Sequence, residues 1–95
     1  MDYLKQSIQY DVIFSVEFNN ILKPFKKKKL VIFQRLEKQI FKIAKNPFIG
    51  KPLRNTLRNY RRVHVSSFVL IYEIFQDEIR LIDFDHHDKI YRKYK

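Results

Sequence analysis

Two hydrophobic periods divide this chain. Up to Asn46, apolar residues recur mainly at helical spacing; beyond Tyr60 they alternate or run together. The exception in the first half is Tyr10-Asp11-Val12-Ile13-Phe14, a short β-branched and aromatic run that predicts a first strand. Ser15 is placed to cap a helix, with Glu17 in its first turn. Phe18, Ile21, Leu22 and Phe25 mark the apolar side of that helix. Pro24 is expected to end or kink it near Lys23. Lys26-Lys27-Lys28-Lys29 then reads as a solvated turn or helix start, because like charges repel. Leu30 to Lys45 is a second helix with a stripe of Ile32, Phe33, Leu36, Ile40, Ile43 and Ala44, and Asn46-Pro47 stops it.

The second half carries strand signals. Phe48 to Asn59 is a basic connector. In Tyr60–Val65, Val63 and Val65 fall on one face, with Arg62 and His64 on the other. Ser66-Ser67 turns the chain into Phe68–Phe75, whose nearly continuous apolar run predicts a central strand. Gln76-Asp77-Glu78 is a hairpin turn, and Ile79–Phe84 is the last strand. The tail from His86 to Lys95 is polar and suits a short helix. The predicted order is β-α-α-β-β-β, an α+β fold. Three C-terminal strands form an antiparallel meander, and two N-terminal helices cover one face. All 95 residues read as a single domain, since a second core would be too small to stand alone.

Composition narrows the function. Twenty Lys+Arg against 10 Asp+Glu give a net charge of +10, which favours a polyanionic partner. With no Cys there is no disulfide framework, no thiolate nucleophile and no Cys-ligated zinc. One Gly excludes phosphate loops and dinucleotide fingerprints, which need several. The N-terminus lacks the apolar run of a signal peptide, and no stretch has the ~20 apolar residues of a membrane span. A soluble, intracellular chain is expected. His86-His87-Asp88 has metal-binding residue types, but neighbours on a strand point to opposite faces and no Cys completes a site. Neither a metal nor a cofactor is therefore expected.

Arg61, Arg62, His64 and His87 are the residues with the chemistry to act on RNA. Histidine exchanges protons near neutral pH, and arginine holds phosphate oxygens with a rigid fork. One His can take the proton from a 2′-hydroxyl while the other protonates the leaving oxygen. Tyr91 follows His87 by one helical turn, where its ring can stack on a base.

Three segments resemble the RelE/ParE superfamily of toxins. Asn46-Pro47-Phe48-Ile49-Gly50-Lys51-Pro52-Leu53-Arg54 is similar to the family's connector. Tyr60 to Ile74 resembles its central hairpin, and Asp85-His86-His87-Asp88-Lys89-Ile90-Tyr91 its ending. The resemblance spans nearly the whole chain in order. It implies a cytoplasmic toxin of a type II toxin–antitoxin pair with the β-α-α-β-β-β fold. RelE-type members cleave mRNA in the ribosomal A site, whereas ParE-type members poison DNA gyrase.

Residue by residue, the pattern is closest to the YafQ-type branch, which places His at the positions of His64 and His87 with an aromatic where Tyr91 stands. The basic residue many RelE-type enzymes carry after the strand-opening aromatic is here Val69, and Ser66-Ser67 supplies no acid after the strand turn. What the resemblance implies is a ribosome-dependent, metal-independent mRNA endoribonuclease. Its catalytic set is His64, His87, Arg62 and Tyr91, with Arg61, Lys51, Arg54, Arg58, Lys27 and Lys28 contacting RNA or phosphate. Its partners are the ribosome, mRNA and an acidic or amphipathic antitoxin bound in a hetero-oligomeric complex. A gyrase poison, or an inactive relic that binds only antitoxin or RNA, are the alternatives.

Overall fold

The computed structural model describes residues 10–54 and 59–94. Strand β1 (Asp11–Ile13) leads into helices α1 (Val16–Lys28) and α2 (Leu30–Lys45). A 3-10 turn at Pro47–Ile49 precedes the short strand β2 (Lys51–Pro52). Strands β3 (Tyr60–Val65), β4 (Phe68–Phe75) and β5 (Glu78–His86) follow, and helix α3 (His87–Lys93) closes the fold. The α+β class and the β3–β4–β5 meander agree with the sequence pattern. The sheet order is β1-β5-β4-β3-β2, so β1 adds to the far edge. It runs parallel to β5, Val12 opposite Ile79, which the long helical crossover between them permits. The sheet is therefore mixed, and β2 extends the other edge from within the stretch expected to be only a connector.

Local signals explain most element ends. Ser15 accepts the Phe18 amide at 3.0 Å, an N-cap interaction of about 1 kcal/mol. Asn46 accepts the Phe48 amide at 3.2 Å and starts the 3-10 turn with Pro47 at its first position. Both meander turns use a left-handed residue, Ser66 at φ 57° and Gln76 at φ 55°.

Pro24 does not stop α1, contrary to expectation. Its ring is exposed, and tertiary packing carries the helix past it. Phe25 sets its ring edge against Phe68 at 5.1 Å and against Phe84 at 4.9 Å. The lysine run accordingly ends a helix: Lys26, Lys27 and Lys28 occupy the last turn of α1, where cations suit the helix dipole.

The two sheet faces are covered unequally. On one, α1 and α2 bury Phe18, Leu22, Leu36 and Ile43 against Val63, Val65, Leu70, Tyr72, Ile79, Leu81 and Phe84. On the other, among the described residues, α3 and Leu53 cover the strands, and the buried set is Val69, Ile71 and Ile90. A register shift between Ile71 and Tyr72 inserts Ile82 as an extra residue in β5. That shift lets Leu81 and Phe84 both reach the helical face.

Candidate functional site

The open sheet face carries a groove of about 680 Å³ between β2 and α3. Lys51, Pro52, Leu53 and Arg54 form one wall, and Ile90, Tyr91 and Tyr94 the other. Arg62 enters from β3, where it pairs with Lys51 of β2 and Ile71 of β4. Its guanidinium carbon lies 5.9 Å from the centre of the Tyr91 ring. One helical turn back, the His87 ring is 6.1 Å from that of Tyr91. Arg62, Tyr91, Lys51 and Arg54 are thus brought together, with His87 beside them.

His64 sits two residues along β3 from Arg62, exposed on the same face. It lies opposite Val69, and its carbonyl accepts the Gln39 side-chain amide at 3.0 Å. Among the described residues, no hydrogen bond, ion pair or ring contact joins it to His87. Strand β4 separates β3, which carries His64, from β5, which ends one residue before His87, and the two strands are roughly 10 Å apart.

The remaining predicted residues are placed differently. Arg61 faces the helical side, donating to the Gly50 carbonyl at 2.6 Å and the Phe48 carbonyl at 3.5 Å. Its guanidinium also lies 5.2 Å from the Phe48 ring. It holds the connector rather than the groove. Lys27 and Lys28 belong to the helical layer, across the sheet from the groove. Arg58 lies outside the described residues.

Two polar groups that sequence reasoning did not single out build the groove walls. Tyr72 is fully buried on β4, and its hydroxyl donates to the Pro47 carbonyl at 2.6 Å. The same hydroxyl accepts the Gly50 amide at 3.0 Å. Burial raises its pKa, opposed by the Gly50 hydrogen bond and by Arg61. A Cβ at Gly50 would collide with this hydroxyl and come within 2.9 Å of the Arg62 carbonyl, so only glycine fits. Tyr72 and Arg61 together therefore fix the segment that presents Lys51.

On the opposite wall, buried Asp83 accepts Lys93 at 3.0 Å and the Tyr94 hydroxyl at 3.1 Å, pinning the end of α3. Tyr94 also packs edge-on against Tyr60 at 5.8 Å. Its pKa is raised, first by burial and then by the Asp83 charge. Lys93 is raised chiefly by its bond to Asp83. The signal for both groups was an isolated polar tip within an apolar strand, Tyr72 in β4 and Asp83 in β5.

At the start of α3 the neighbouring histidines do not point apart as a continuous strand would require. His86 is the last residue of β5 and His87 the first of α3, and the change of backbone sets their rings 4.3 Å apart. The His86 Nδ1 accepts the Asp88 amide at 3.3 Å, and the His87 amide donates to the Ser67 carbonyl at 3.0 Å.

Fold and groove together define a class: a small basic α+β domain with two long helices on one sheet face, and a short helix, cations and aromatic rings on the other. Within that class, the profile of the family described as "ParE toxin of type II toxin-antitoxin system, parDE" matches residues 12–91. A protein of Methanocaldococcus jannaschii named "Putative toxin RelE4" is 33% identical over 89 residues, spanning 90% of this chain and 95% of its own. An uncharacterized protein of Methanosarcina mazei is 33% identical over 78 residues, spanning 79% of this chain and 86% of its own. The chain belongs to the RelE/ParE superfamily of type II toxin–antitoxin toxins. Membership implies a cognate antitoxin partner. No solved structure matches the chain, and no described helix is long and apolar enough to cross a membrane.

Proposed function

We propose that this toxin is a ribosome-dependent mRNA endoribonuclease of the cytoplasm, working without a metal. The observation that carries the reading is the groove edge, where Arg62, Tyr91 and His87 succeed one another at 5.9 Å and 6.1 Å. A cation, an aromatic ring and an imidazole there match phosphate, base and transferable proton in turn. His64, exposed on the same face, supplies the second imidazole.

In the proposed step a 2′-oxygen attacks the adjacent phosphorus, forming the 2′-O–P bond as the P–O5′ bond breaks. One histidine takes the 2′ proton and the other delivers a proton to the departing 5′-oxygen. The products are a 2′,3′-cyclic phosphate and a 5′-hydroxyl. Arg62 and Lys51 neutralise charge building on the phosphoryl oxygens, and Tyr91 holds the base. Lys51 and Arg54 rim the groove for backbone contact with mRNA or rRNA. Ribosome-bound mRNA would supply the geometry that brings both imidazoles to one phosphate, since about 10 Å separates β3 from β5, at whose end His87 begins α3. Before then, an acidic or amphipathic antitoxin segment on the basic surface would block access in a hetero-oligomer.

Primer extension on mRNA in a translation extract tests this reading. The parent is expected to cut within codons on the ribosome, and His64→Ala and His87→Ala to cut at least about 100-fold more slowly, the lower end for loss of a general acid or base. Undiminished cutting by both variants would remove the catalytic assignment. A second reading, poisoning of DNA gyrase, is favoured by the ParE description of the matching family. Induction of DNA-damage responses with intact mRNA would select it, whereas an absence of any growth inhibition would indicate a binding relic.

A further inference from the structure

The backbone change at the end of β5 gathers three metal-ligating groups that no part of the ribonuclease reading uses together. One ligand atom each from His86, His87 and Asp88 lies within 4.8 Å of the others. The two imidazole Nδ1 atoms flank a single carboxylate: His87 Nδ1 is 3.0 Å from Asp88 Oδ1, and His86 Nδ1 is 3.7 Å from Oδ2. Ligands of a tetrahedral ion with bonds of about 2.0–2.2 Å stand roughly 3.3–3.6 Å apart, so small side-chain rotations suffice to close the shell. The imidazoles are 40% and 41% exposed and open to solvent ions. We propose that His86, His87 and Asp88 form a binding site for a divalent transition metal of the zinc class, and that a metal held there silences the toxin by occupying His87.

Two opposing effects have to be weighed. The net charge of +10 repels cations, but at about 0.1 M salt that repulsion is screened beyond roughly 10 Å, while coordination acts at bond length. Binding also breaks the hydrogen bond from the Asp88 amide to His86 Nδ1, a capping interaction of about 1 kcal/mol. That amide is at the exposed start of α3 and turns to water instead. Two imidazoles and one carboxylate favour zinc, nickel or copper over magnesium, which prefers oxygen ligands. With three protein ligands, water completes the shell.

The inhibitory half rests on the ribonuclease reading; the binding half does not. A metal on His87 Nδ1 leaves the ring with its proton on Nε2. That ring can then neither accept the 2′ proton nor act as an imidazolium donor.

The test is a zinc titration of the tag-free full chain against a chromophoric chelator. One equivalent is expected to bind. His86→Gln and Asp88→Asn should each weaken it at least about tenfold, since even loss of an outer-shell partner costs 10–100-fold; His64→Gln should leave it unchanged. Equal binding by parent and both site variants, or equal loss with His64→Gln, overturns the proposal. Should the site variants fail to fold, the parent alone decides through its imidazole NMR signals. Substoichiometric copper should broaden those of His86 and His87 first, and His64 broadening first refutes the site. Primer extension then addresses inhibition: zinc should slow parent cleavage several-fold, reversibly by chelator, with a smaller ratio in Asp88→Asn. Zinc that binds without slowing cleavage overturns the inhibitory half. A parent that cuts no mRNA while binding zinc overturns the ribonuclease reading and leaves the metal site standing.

Discussion

The two faces of the sheet use the same strands for opposite purposes, and β3 shows how. Arg61, Val63 and Val65 turn toward the helices, while Tyr60, Arg62 and His64 lie on the opposite face, where Arg62 lines the groove. Arg61 has its guanidinium committed to the carbonyls of Gly50 and Phe48. Arg62, its neighbour, lies beside the exposed Tyr91 ring at the groove edge. Two identical side chains, one residue apart, thus differ in what they touch: Arg61 is tied to the connector, whereas Arg62 lines the groove, where the proposed function gives it the phosphate. Residue type names the chemistry available; sheet face decides where it is spent.

Substitutions on opposite faces should separate stability from activity. The largest effect is expected on the helical face. Phe18 is fully buried, and Phe18→Ala should cost about 3–5 kcal/mol of stability, read as a lowered urea midpoint. Activity per folded molecule should survive. Arg62→Ala should do the reverse. Loss of one stabilising cation at the phosphate should slow cleavage about 10²–10³-fold, with stability shifted by no more than about 1 kcal/mol, the worth of an exposed cation–π contact. If Arg62→Ala unfolds the chain or leaves cleavage intact, the division between the faces fails.

Tyr72→Phe probes the link between them. It removes the hydroxyl that bonds Pro47 and Gly50, leaving a buried amide unpaired at a cost of about 1–3 kcal/mol. Because Gly50 precedes Lys51, the variant should also bind RNA more weakly at a fixed salt concentration even where it remains fully folded. Unchanged RNA binding would show that Lys51 is placed without help from β4.

Much of this division was legible in the sequence. Alternation in Tyr60–Val65 put Val63 and Val65 inward and Arg62 and His64 outward, as found. Helical spacing located the buried residues of α1 and α2. What could not be read depended on contacts distant in sequence. The passage of α1 through Pro24 depends on Phe25 meeting Phe68 and Phe84. The parallel pairing of β1 with β5 joins residues more than sixty positions apart. Alternation puts Arg61 on the Val63 side of β3, but the carbonyls that hold it there belong to a connector with no sequence signature for them. The convergence of His86 with His87 turns on one residue, the boundary where strand becomes helix. Element ends are the least determined feature of any periodic pattern, and here one such end sets the local chemistry.

The smallest expected effect concerns pH and the groove wall made by α3. Tyr94 and Lys93 both have pKa values raised in the fold, Tyr94 by burial and then the Asp83 charge, Lys93 by its bond to Asp83. A raised folded value means that the native state holds the proton more tightly than the unfolded chain does. The stabilisation is therefore complete below the unfolded values, near pH 10 for both groups, and is lost as pH climbs through the folded ones. No loss from this pair is expected between pH 6 and about 9. Lys93 is half exposed, which leaves its share small, so Tyr94 should dominate. Tyr94→Phe removes the bond to Asp83 and should lower stability at pH 7 by about 0.5–1.5 kcal/mol. Above pH 10 its urea midpoint should fall less steeply than the parent's, so the two curves converge. Buried Tyr72, also raised in pKa, retains part of the alkaline loss on the helical face. Parallel curves for parent and Tyr94→Phe would mean that the alkaline limit is set on the helical face alone, with α3 docked through Ile90 rather than through its phenol.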